Sequence, residues 1–240
     1  MSDIIAILGD LVHRPWELPK GKWQYYQEWN DVIFLHWEVP FHELRKLVPQ
    51  QLNLDDFNSV YYISLVAFTM QKIRPRNLPS LKPISDFHEI NVRTYIDNNG
   101  KKGVYFLNIE AEKWLSAFIA KKLSGLPYEK ATIHRAHESY TSTNIEKNFR
   151  LEINYRLNGP LINKSELDKW LTERYCLYLI QKNKTFRYDI HHREWSISPI
   201  ELKHLNLTYQ LGKLDLSSER IVKAHYSEGV KVVSWKKEML

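Results

Sequence analysis

Residues 86–96 read DFHEINVRTYI, and the predicted fold is organised around this stretch. Side chains alternate between the two faces of a β-strand, so one face here would carry Ile90, Val92, Thr94 and Ile96. The opposite face would be a polar row, which consists of Glu89, Asn91, Arg93 and Tyr95. Neighbours in this polar row would stand about 7 Å apart, a spacing that can surround a small ligand. Periodicity alone favours the simpler interpretation, in which the polar row faces water.

The residues before this stretch predict three strands and a loop. Residues 23–29 and 32–37 have the composition of strands, and residues 30–31, Asn-Asp, would form a turn between them. Residues 60–70, VYYISLVAFTM, are apolar almost throughout, as expected of a strand that is buried on both faces. Residues 72–83 hold three prolines and show no periodicity, so they predict a long loop.

A hairpin and a helix are predicted after the stretch. Residues 98–100 read Asn-Asn-Gly, which tolerates the left-handed positions of a hairpin turn, and residues 104–109 would return as the partner strand. Residues 111–123 carry apolar side chains at helical spacing and would form a helix that ends near Gly125. Further helices are expected at the N-terminus, after Pro40 and after Ser165, and further strands at residues 131–137, 149–157, 175–181, 186–190, 194–200 and 230–235.

Composition limits the class of protein. The 240 residues carry a net charge of +6, but Lys and Arg are scattered, so we expect no nucleic-acid partner. No uncharged apolar stretch approaches the length of about 18 residues that predicts a membrane span, which favours a cytoplasmic protein with no membrane association. The single Cys176 excludes an intramolecular disulfide and suits a reducing compartment. We interpret residues 1–240 as one domain, and the sequence leaves the oligomeric state open, a homo-oligomer included.

The sequence lacks the strong signatures of enzyme chemistry. It has no Gly-rich phosphate loop, no G-x-S-x-G elbow and no H-E-x-x-H motif. His134 and His137 could share a metal ion on a helix, whereas residues 131–137 predict a strand, on which these two side chains diverge. His191 and His192 would point to opposite faces of an extended chain for the same reason. We therefore expect no metal and no cofactor.

Polar and aromatic residues in apolar surroundings are the candidate site residues. A buried Arg93 would need a carboxylate or an anionic ligand, because leaving its charge unpaired costs on the order of several kcal/mol. Glu89 is the local candidate partner, yet it would lie about 13 Å away along the strand, and an anionic substrate could fill that gap. The candidate catalytic residues are Glu89, Arg93 and Tyr128. The candidate substrate-binding residues are Asn91, Tyr95, Tyr105, His36, Trp37, His192 and His225.

Six motifs together carry a family resemblance. They are W-x-x-x-x-F-x-H-W-x-V at residues 29–39, PR-x-LP at 75–79, F-x-E-x-NVRTY at 87–95, GLPY at 125–128, ERY at 173–175 and HYS at 225–227. On these motifs the chain resembles the YqjF-like bacterial family, a domain of unknown function numbered 2071. The match extends over about residues 14–236, and NVRTY and GLPY are specific in combination.

That family in turn resembles the acetoacetate decarboxylase-like superfamily. The resemblance implies an α+β fold in which a strongly curved, mostly antiparallel β-sheet or barrel surrounds a pocket, with a few flanking helices. In the decarboxylase, two lysines follow a Gly-Phe-Pro turn, the first forming a Schiff base and the second depressing its pKa, but this sequence has Tyr128 and Glu129 there. A phenol cannot form an imine with a ketone. Lys130 comes one residue later, beside an acidic neighbour, so the resemblance disfavours Schiff-base decarboxylation.

Two hypotheses from different functional classes remain open. In the first, the protein binds or converts a small organic acid or ketone in a pocket, with lyase- or hydrolase-like chemistry if it is an enzyme. Arg93 would hold the carboxylate, while Glu89 and Tyr128 would act as acid-base or hydrogen-bonding groups. In the second, the chain is a structural or protein-interaction domain with a filled core. Nucleic-acid binding through Arg74, Arg76, Lys82 and scattered lysines is a weaker third option, since no known module's pattern supports it.

Overall fold

The computed structural model describes residues 2–113, 125–161, 163–217 and 220–240. Within these ranges, the helices are α1 (Ser2–Gly9), α2 (Phe41–Leu47), α3 (Lys82–Ser85) and α4 (Glu166–Thr172). The strands are β1 (Tyr25–Val39), β2 (Tyr61–Pro75), β3 (Phe87–Asn98), β4 (Lys101–Ala111), β5 (Tyr128–Lys130), β6 (Thr132–Ala136), β7 (Ser139–Asn144), β8 (Phe149–Leu157), β9 (Cys176–Gln181), β10 (Lys184–His191), β11 (Ser198–Leu211), β12 (Leu214–Leu216), β13 (Ile221–Ser234) and β14 (Glu238–Met239). No helix in the described ranges is long and apolar enough to cross a membrane.

Strand pairing curls the sheet into a ring. β3 lies between β2 and β4, and the order continues through β1 to β13 on one side and through β9 to β10 on the other. The ring closes where β10 pairs with β13, with Ile190 opposite Ser234 and His191 opposite Val233. Most pairs are antiparallel, whereas β4 pairs in parallel with β5 and β9. The predicted fold class, a curved and mostly antiparallel sheet with a few helices, is confirmed.

The ring of strands has an apolar interior and a second core outside it. Phe34 of β1, Phe68 of β2 and Ile190 of β10 belong to one buried cluster, which places this face inside the ring. The other face of the same strands carries Leu35 and Val92, and it packs against β8, β11 and β12. The strands β1, β2 and β3 are therefore covered on both faces, as the apolar sequence of β2 predicted.

Two local predictions are confirmed by backbone geometry. The hairpin between β3 and β4 turns at Asn99 and Gly100, which have φ angles of 55° and 77° in the left-handed region. Helix α4 begins after Ser165, whose hydroxyl accepts the Asp168 backbone N–H at 3.2 Å. The Asp168 carboxylate accepts the Ser165 backbone N–H at 2.9 Å, which completes a capping box. These signals are local, so the sequence alone carries them.

The prediction of two strands before residue 40 was wrong, because β1 is one continuous strand. The expected turn at residues 30–31 is instead an irregularity in strand pairing, where Asp31 has a φ angle of 53° and the chain keeps its direction. Gly229 lies opposite Asn30 and has a φ angle of 131°. A Cβ atom at Gly229 would lie 2.1 Å from the Trp29 carbonyl oxygen. Glycine thus lets the two strands approach closely at this bulge.

Two further predictions need correction in their bounds. The predicted loop at residues 72–83 begins later, because β2 continues to Pro75, and its last two residues belong to α3. The predicted strand at residues 194–200 begins only at Ser198. Trp195 is instead buried against the ring interior, where it packs in the same cluster as the aromatic side chains of β1 and β2. Tertiary packing of one large side chain therefore outweighs the strand pattern around it.

The predicted helix at residues 111–123 lies largely outside the described residues, since residues 114–124 are not among them. Its predicted first residue, Ala111, is the last residue of β4 and pairs with Glu89 of β3. The Ala111 carbonyl also accepts the Ala131 N–H at 3.1 Å. These sheet hydrogen bonds satisfy the backbone groups that a helix starting there would use.

Candidate functional site

The polar row lies inside the ring of strands and is buried. The exposed fractions of its residues are 3% for Glu89, 5% for Asn91, 8% for Arg93 and 0% for Tyr95. The register places Ser64 of β2 beside Arg93, and His36 of β1 beside Ser64, so their side chains share the interior face. Water therefore does not cover this face, and the chemistry of the row depends on what its polar atoms contact.

Arg93 is a buried cation that forms no ion pair with any described carboxylate. Its guanidinium carbon lies 5.8 Å from the centroid of the Phe34 ring. Its Nε and Nη2 atoms are buried, and in the described part of the chain they have no hydrogen-bond partner. Burial lowers the pKa of Arg93, the Tyr95 phenol opposes this effect, and Arg174 adds to it. Two adjacent donors on one guanidinium are therefore available to another group.

Glu89 forms the other end of the polar row, with Tyr128 as its partner. The Tyr128 hydroxyl donates to Glu89 Oε2 at 3.0 Å, and the Asn91 amide lies 3.5 Å from Oε1. Burial raises the pKa of Glu89 to about 7, although the hydrogen bonds from Tyr128 and Asn91 lower it. Burial, together with the Glu89 charge, raises the pKa of Tyr128 well above its ordinary value. The carboxyl group is thus able to gain or lose a proton near neutral pH.

A chain of hydrogen bonds crosses the ring interior from His36 to the end of α4. His36 Nδ1 lies 2.5 Å from Ser64 Oγ, and Ser64 Oγ also bonds the Tyr95 hydroxyl. Tyr95 in turn donates to the Leu171 carbonyl oxygen at 3.0 Å. Burial lowers the pKa of His36 well below its ordinary value, and His225 adds to this shift. His36 is therefore neutral, and its buried Nε2 has no partner among the described residues.

His225 lies beside His36 and is held by α4. The two ring centroids are 5.6 Å apart, and His225 Nε2 lies 3.2 Å from Asp168 Oδ1. Burial works against ionisation of Asp168, but hydrogen bonds from Lys223 and Ser165 lower the pKa of this carboxyl to about 2. Burial lowers the pKa of His225, and Asp168 opposes that effect. His225 Nδ1 is buried and, like His36 Nε2, contacts no hydrogen-bond partner within the described ranges.

Two predicted site residues lie outside the interior, and a third, His192, packs at its edge, 5.3 Å from Trp195 between ring centroids. Trp37 and Tyr105 point to the outer face of the ring, where they pack in the second core, and Trp37 Nε1 donates to the Ser217 carbonyl at 2.8 Å. His192 packs against Tyr175 with ring centroids 4.9 Å apart, and its Nδ1 hydrogen-bonds a backbone carbonyl at 2.7 Å. Burial lowers the pKa of His192 to about 4. The residues brought to the ring interior are Glu89, Asn91, Arg93, Tyr95, Tyr128, His36 and His225.

The prediction from sequence missed three residues that complete this arrangement. Ser64 links His36 to Tyr95, and its place as a small hydroxyl in a buried strand was a usable signal. Asp168 appeared only as part of a helix, although its carboxylate holds His225. Trp195 packs edge-on against Phe34 at 5.2 Å between ring centroids and covers one side of the interior. The partners of Asp168 and Trp195 are distant in sequence, so no local pattern pointed to them.

Two surface depressions lie away from the polar row. One, of about 670 Å³, is lined by residues that include Phe41, Tyr61 and Val222. The other, of about 310 Å³, is lined by residues that include Trp23 and Tyr25. Neither includes a residue of the polar row. The polar row is therefore defined as a candidate site by its unpaired buried atoms and not by an open cleft.

The two positions after the Gly-Leu-Pro turn point in different directions. Tyr128 reaches Glu89 in the ring, whereas Glu129 accepts a hydrogen bond from Asn144 at 3.2 Å and pairs with Lys147 at 3.3 Å. Lys130 is exposed at the end of β5. Across the described residues, no cluster of three His, Cys, Asp or Glu side chains could hold a metal ion. The chemistry available on the ring face is therefore that of an arginine, a carboxyl, a phenol and two imidazoles.

The closed ring of strands identifies the class of protein. The chain has the fold of the acetoacetate decarboxylase-like proteins. Acetoacetate decarboxylase from Legionella pneumophila superimposes with a TM-score of 0.60 over 96% of this chain and 95% of that chain, at 12% identity. The enduracididine biosynthesis enzyme MppR complexed with pyruvate superimposes with a TM-score of 0.58 over 94% of this chain and 93% of that chain, at 9% identity. At these identities the similarity concerns the fold alone.

Sequence similarity identifies the family within that class. Residues 26–231 match the DUF2071 family, which is described as an uncharacterized conserved protein. The uncharacterized protein YqjF of Bacillus subtilis (strain 168) is 37% identical over 191 residues, which are 77% of this chain and 79% of that protein. The chain therefore belongs to the DUF2071 family, and the resemblance carried by its motifs is confirmed.

Proposed function

We propose that this protein binds a small carboxylic acid inside the ring of strands, with Arg93 holding the carboxylate. The observation that carries the proposal is a pair of donors, Nε and Nη2, that have no partner in the part of the chain that the structure describes, on a guanidinium that is almost fully buried. A buried charge without a partner costs on the order of several kcal/mol. Such a cost points to a ligand anion as the missing partner of Arg93.

A carboxylate suits these two donors in geometry as well as in charge. Nε and Nη2 lie on one edge of the guanidinium, and a carboxylate can accept two parallel hydrogen bonds from that edge. The nearby acidic side chains are already engaged, Glu89 with Tyr128 and Asp168 with Lys223. MppR, which shares the fold, has been solved with the small carboxylate pyruvate, and this supports the ligand class.

Glu89 and Tyr128 supply a second polar group on the same interior face, four residues from Arg93 along β3. Because the pKa of Glu89 is about 7, its protonated and ionised forms are both present at neutral pH. Tyr128 occupies the place that the decarboxylase resemblance assigns to the Schiff-base lysine, and a phenol forms no imine. The proposal therefore includes binding at Arg93, without a covalent intermediate at position 128.

The test compares Arg93→Met with Arg156→Met, an exposed arginine on β8 that serves as a matched control. Pyruvate, propionate and lactate are titrated by NMR and by thermal shift. We expect binding to the wild type and to the control, and at least about tenfold weaker binding to Arg93→Met, since one charge-assisted bidentate contact is lost. Without ligand, Arg93→Met should be more stable by about 1–3 kcal/mol, because an apolar chain of similar length replaces an unpaired charge.

Equal binding of these acids to the wild type and to Arg93→Met would refute the role of Arg93. If none of them binds the wild type, the proposed function fails as a whole. The increase in stability makes the experiment decisive, because weak binding by Arg93→Met then cannot result from loss of the fold.

A further inference from the structure

Two buried histidines on the same face as Arg93 each have a ring nitrogen without a hydrogen-bond partner among the described residues, and from this we infer that the bound acid carries a hydroxyl group, as a 2-hydroxy carboxylate does. The inference rests on the proposed function, because Arg93 must hold the carboxylate before a neighbouring hydroxyl can be placed. It adds the chemical group that distinguishes this ligand from other small acids. The nitrogen that carries the proton in His36 and in His225 decides which ring atoms can accept a hydrogen bond from the ligand.

The hydrogen-bond chain determines the tautomer of His36. The Leu171 carbonyl can only accept, so the Tyr95 hydroxyl proton points to it. The Tyr95 oxygen must then accept from Ser64, which uses the single Ser64 proton. Ser64 Oγ is left as the acceptor for His36, so His36 Nδ1 carries a proton. Because His36 is neutral, its buried and unpaired Nε2 is a lone-pair acceptor.

The tautomer of His225 follows from its contact with an ionised carboxylate. Asp168 holds its negative charge because Lys223 and Ser165 donate hydrogen bonds to it. A carboxylate accepts only, so His225 Nε2 carries the proton along the 3.2 Å contact with Asp168 Oδ1. Burial lowers the pKa of His225 and keeps its ring neutral. His225 Nδ1 is therefore a second buried acceptor without a donor among the described residues.

The interior face of the ring therefore presents one pair of donors and several acceptors to a ligand. Arg93 supplies two donors, while His36 Nε2, His225 Nδ1 and Asn91 Oδ1 are acceptors that have no donor in the described ranges. The two imidazole rings are 5.6 Å apart, and His36 is level with Ser64 and hence with Arg93 across the strands. A carboxylate would satisfy the donors, and a hydroxyl on the adjacent carbon would donate to an acceptor.

Other small acids match this pattern less well. A 2-oxo acid or an unsubstituted acid brings acceptors only, so it would leave both imidazole lone pairs buried and unpaired, whereas the hydroxyl of a 2-hydroxy acid would pair with one of them. A 2-amino acid could donate, but its ammonium would lie close to Arg93 and Lys223, both of which disfavour positive charge at His36. A neutral hydroxyl donates a hydrogen bond without that repulsion.

The experiment measures the affinities of L- and D-lactate, pyruvate, propionate and alanine by NMR titration. The wild type and the control His204→Phe, which alters an exposed residue of β11, should bind one lactate enantiomer at least about tenfold more tightly than propionate or pyruvate. In His36→Phe the affinity for lactate should fall to that for propionate, while propionate still binds. Arg93→Met should bind none of these acids, and this result separates the hydroxyl inference from the proposed function.

A second measurement does not depend on any variant. The ¹⁵N shifts of labelled histidine should show protonated Nδ1 at His36 and protonated Nε2 at His225, and the His36 Nε2 shift should move with lactate but not with propionate. If lactate binds no better than propionate, or if alanine binds best, the hydroxyl inference is overturned while the role of Arg93 stands. If no acid binds, both fail.

Discussion

Replacing Glu89 by Gln should stabilise the protein much more at pH 8 than at pH 5. Burial raises the pKa of Glu89 to about 7, against an ordinary value of 4.5. The folded state therefore keeps a proton that the unfolded chain releases, so the stability present below pH 4.5 is lost as the pH rises towards 7. Gln cannot ionise, and it can still accept from Tyr128 and, once the Asn91 amide turns over, donate to the Asn91 oxygen.

The magnitude follows from the difference between the two pKa values. Raising a carboxyl pKa from 4.5 to about 7 costs the ionised folded state about 3 kcal/mol, at about 1.4 kcal/mol for each tenfold change in proton affinity. Between pH 5 and pH 8 the linkage relation gives about 2.5 kcal/mol of this effect. Because Glu89 is only 3% exposed, screening by solvent removes little of it.

Urea denaturation, followed by the fluorescence of the 8 tryptophans, measures the unfolding free energy of the wild type and Glu89→Gln at both pH values. Glu146→Gln is the control, since Glu146 is exposed in the segment between β7 and β8. We expect the gain from Glu89→Gln to grow by about 2.5 kcal/mol between pH 5 and pH 8, and that from Glu146→Gln to stay constant. A gain that is equal at both pH values, or a loss at pH 8, would refute the assignment of Glu89 as a buried carboxyl that titrates near neutrality.

Two further predictions concern Tyr128 and Gly229. Tyr128→Phe removes a hydrogen bond that lowers the pKa of Glu89, so the midpoint in the ¹³C shift of the Glu89 carboxyl should move above about 7; an unchanged midpoint would contradict the contact. Gly229→Ala should lower the unfolding free energy by more than about 2 kcal/mol, because the φ angle of Gly229 is 131° and a Cβ there would meet the Trp29 carbonyl. The control Gly9→Ala, at a residue with free space around it, should change the unfolding free energy by less than about 0.5 kcal/mol. Equal effects in urea denaturation would disprove the bulge argument.

Much of the fold could be predicted because its signals are local. The hairpin between β3 and β4 follows from residues 98–100, and the start of α4 follows from the capping residue Ser165. The alternation of apolar residues in β8 predicted its bounds, Phe149–Leu157, without error. Where prediction failed, a distant contact decided the outcome: Asp31 continues a strand because Gly229, far along the chain, pairs with its neighbour Asn30.

The candidate site was predictable in part. Alternation placed Glu89, Asn91, Arg93 and Tyr95 on one face, but that period is the same for a wetted face and a buried one. Burial results from ring closure between residues 190–191 and 233–234, which no local pattern contains. The same alternation should have excluded Trp37 once His36 was included, because adjacent residues of a strand face opposite ways.

The tyrosine at position 128 has two consequences for the chemistry on the ring face. A lysine there, as in the decarboxylase that the sequence resembles, would bring an ammonium close to Glu89 and lower the pKa of its carboxyl. Tyr128 adds no charge, and because Glu89 has no cation as a direct partner among the described residues, the carboxyl pKa stays near 7. Tyrosine in place of lysine at position 128 therefore removes a nucleophile and leaves, at one end of the polar row, a carboxyl group that titrates near neutral pH. At the other end, two donors of Arg93 have no partner among the described residues, and this supports the proposed binding of an acid without a covalent bond to it.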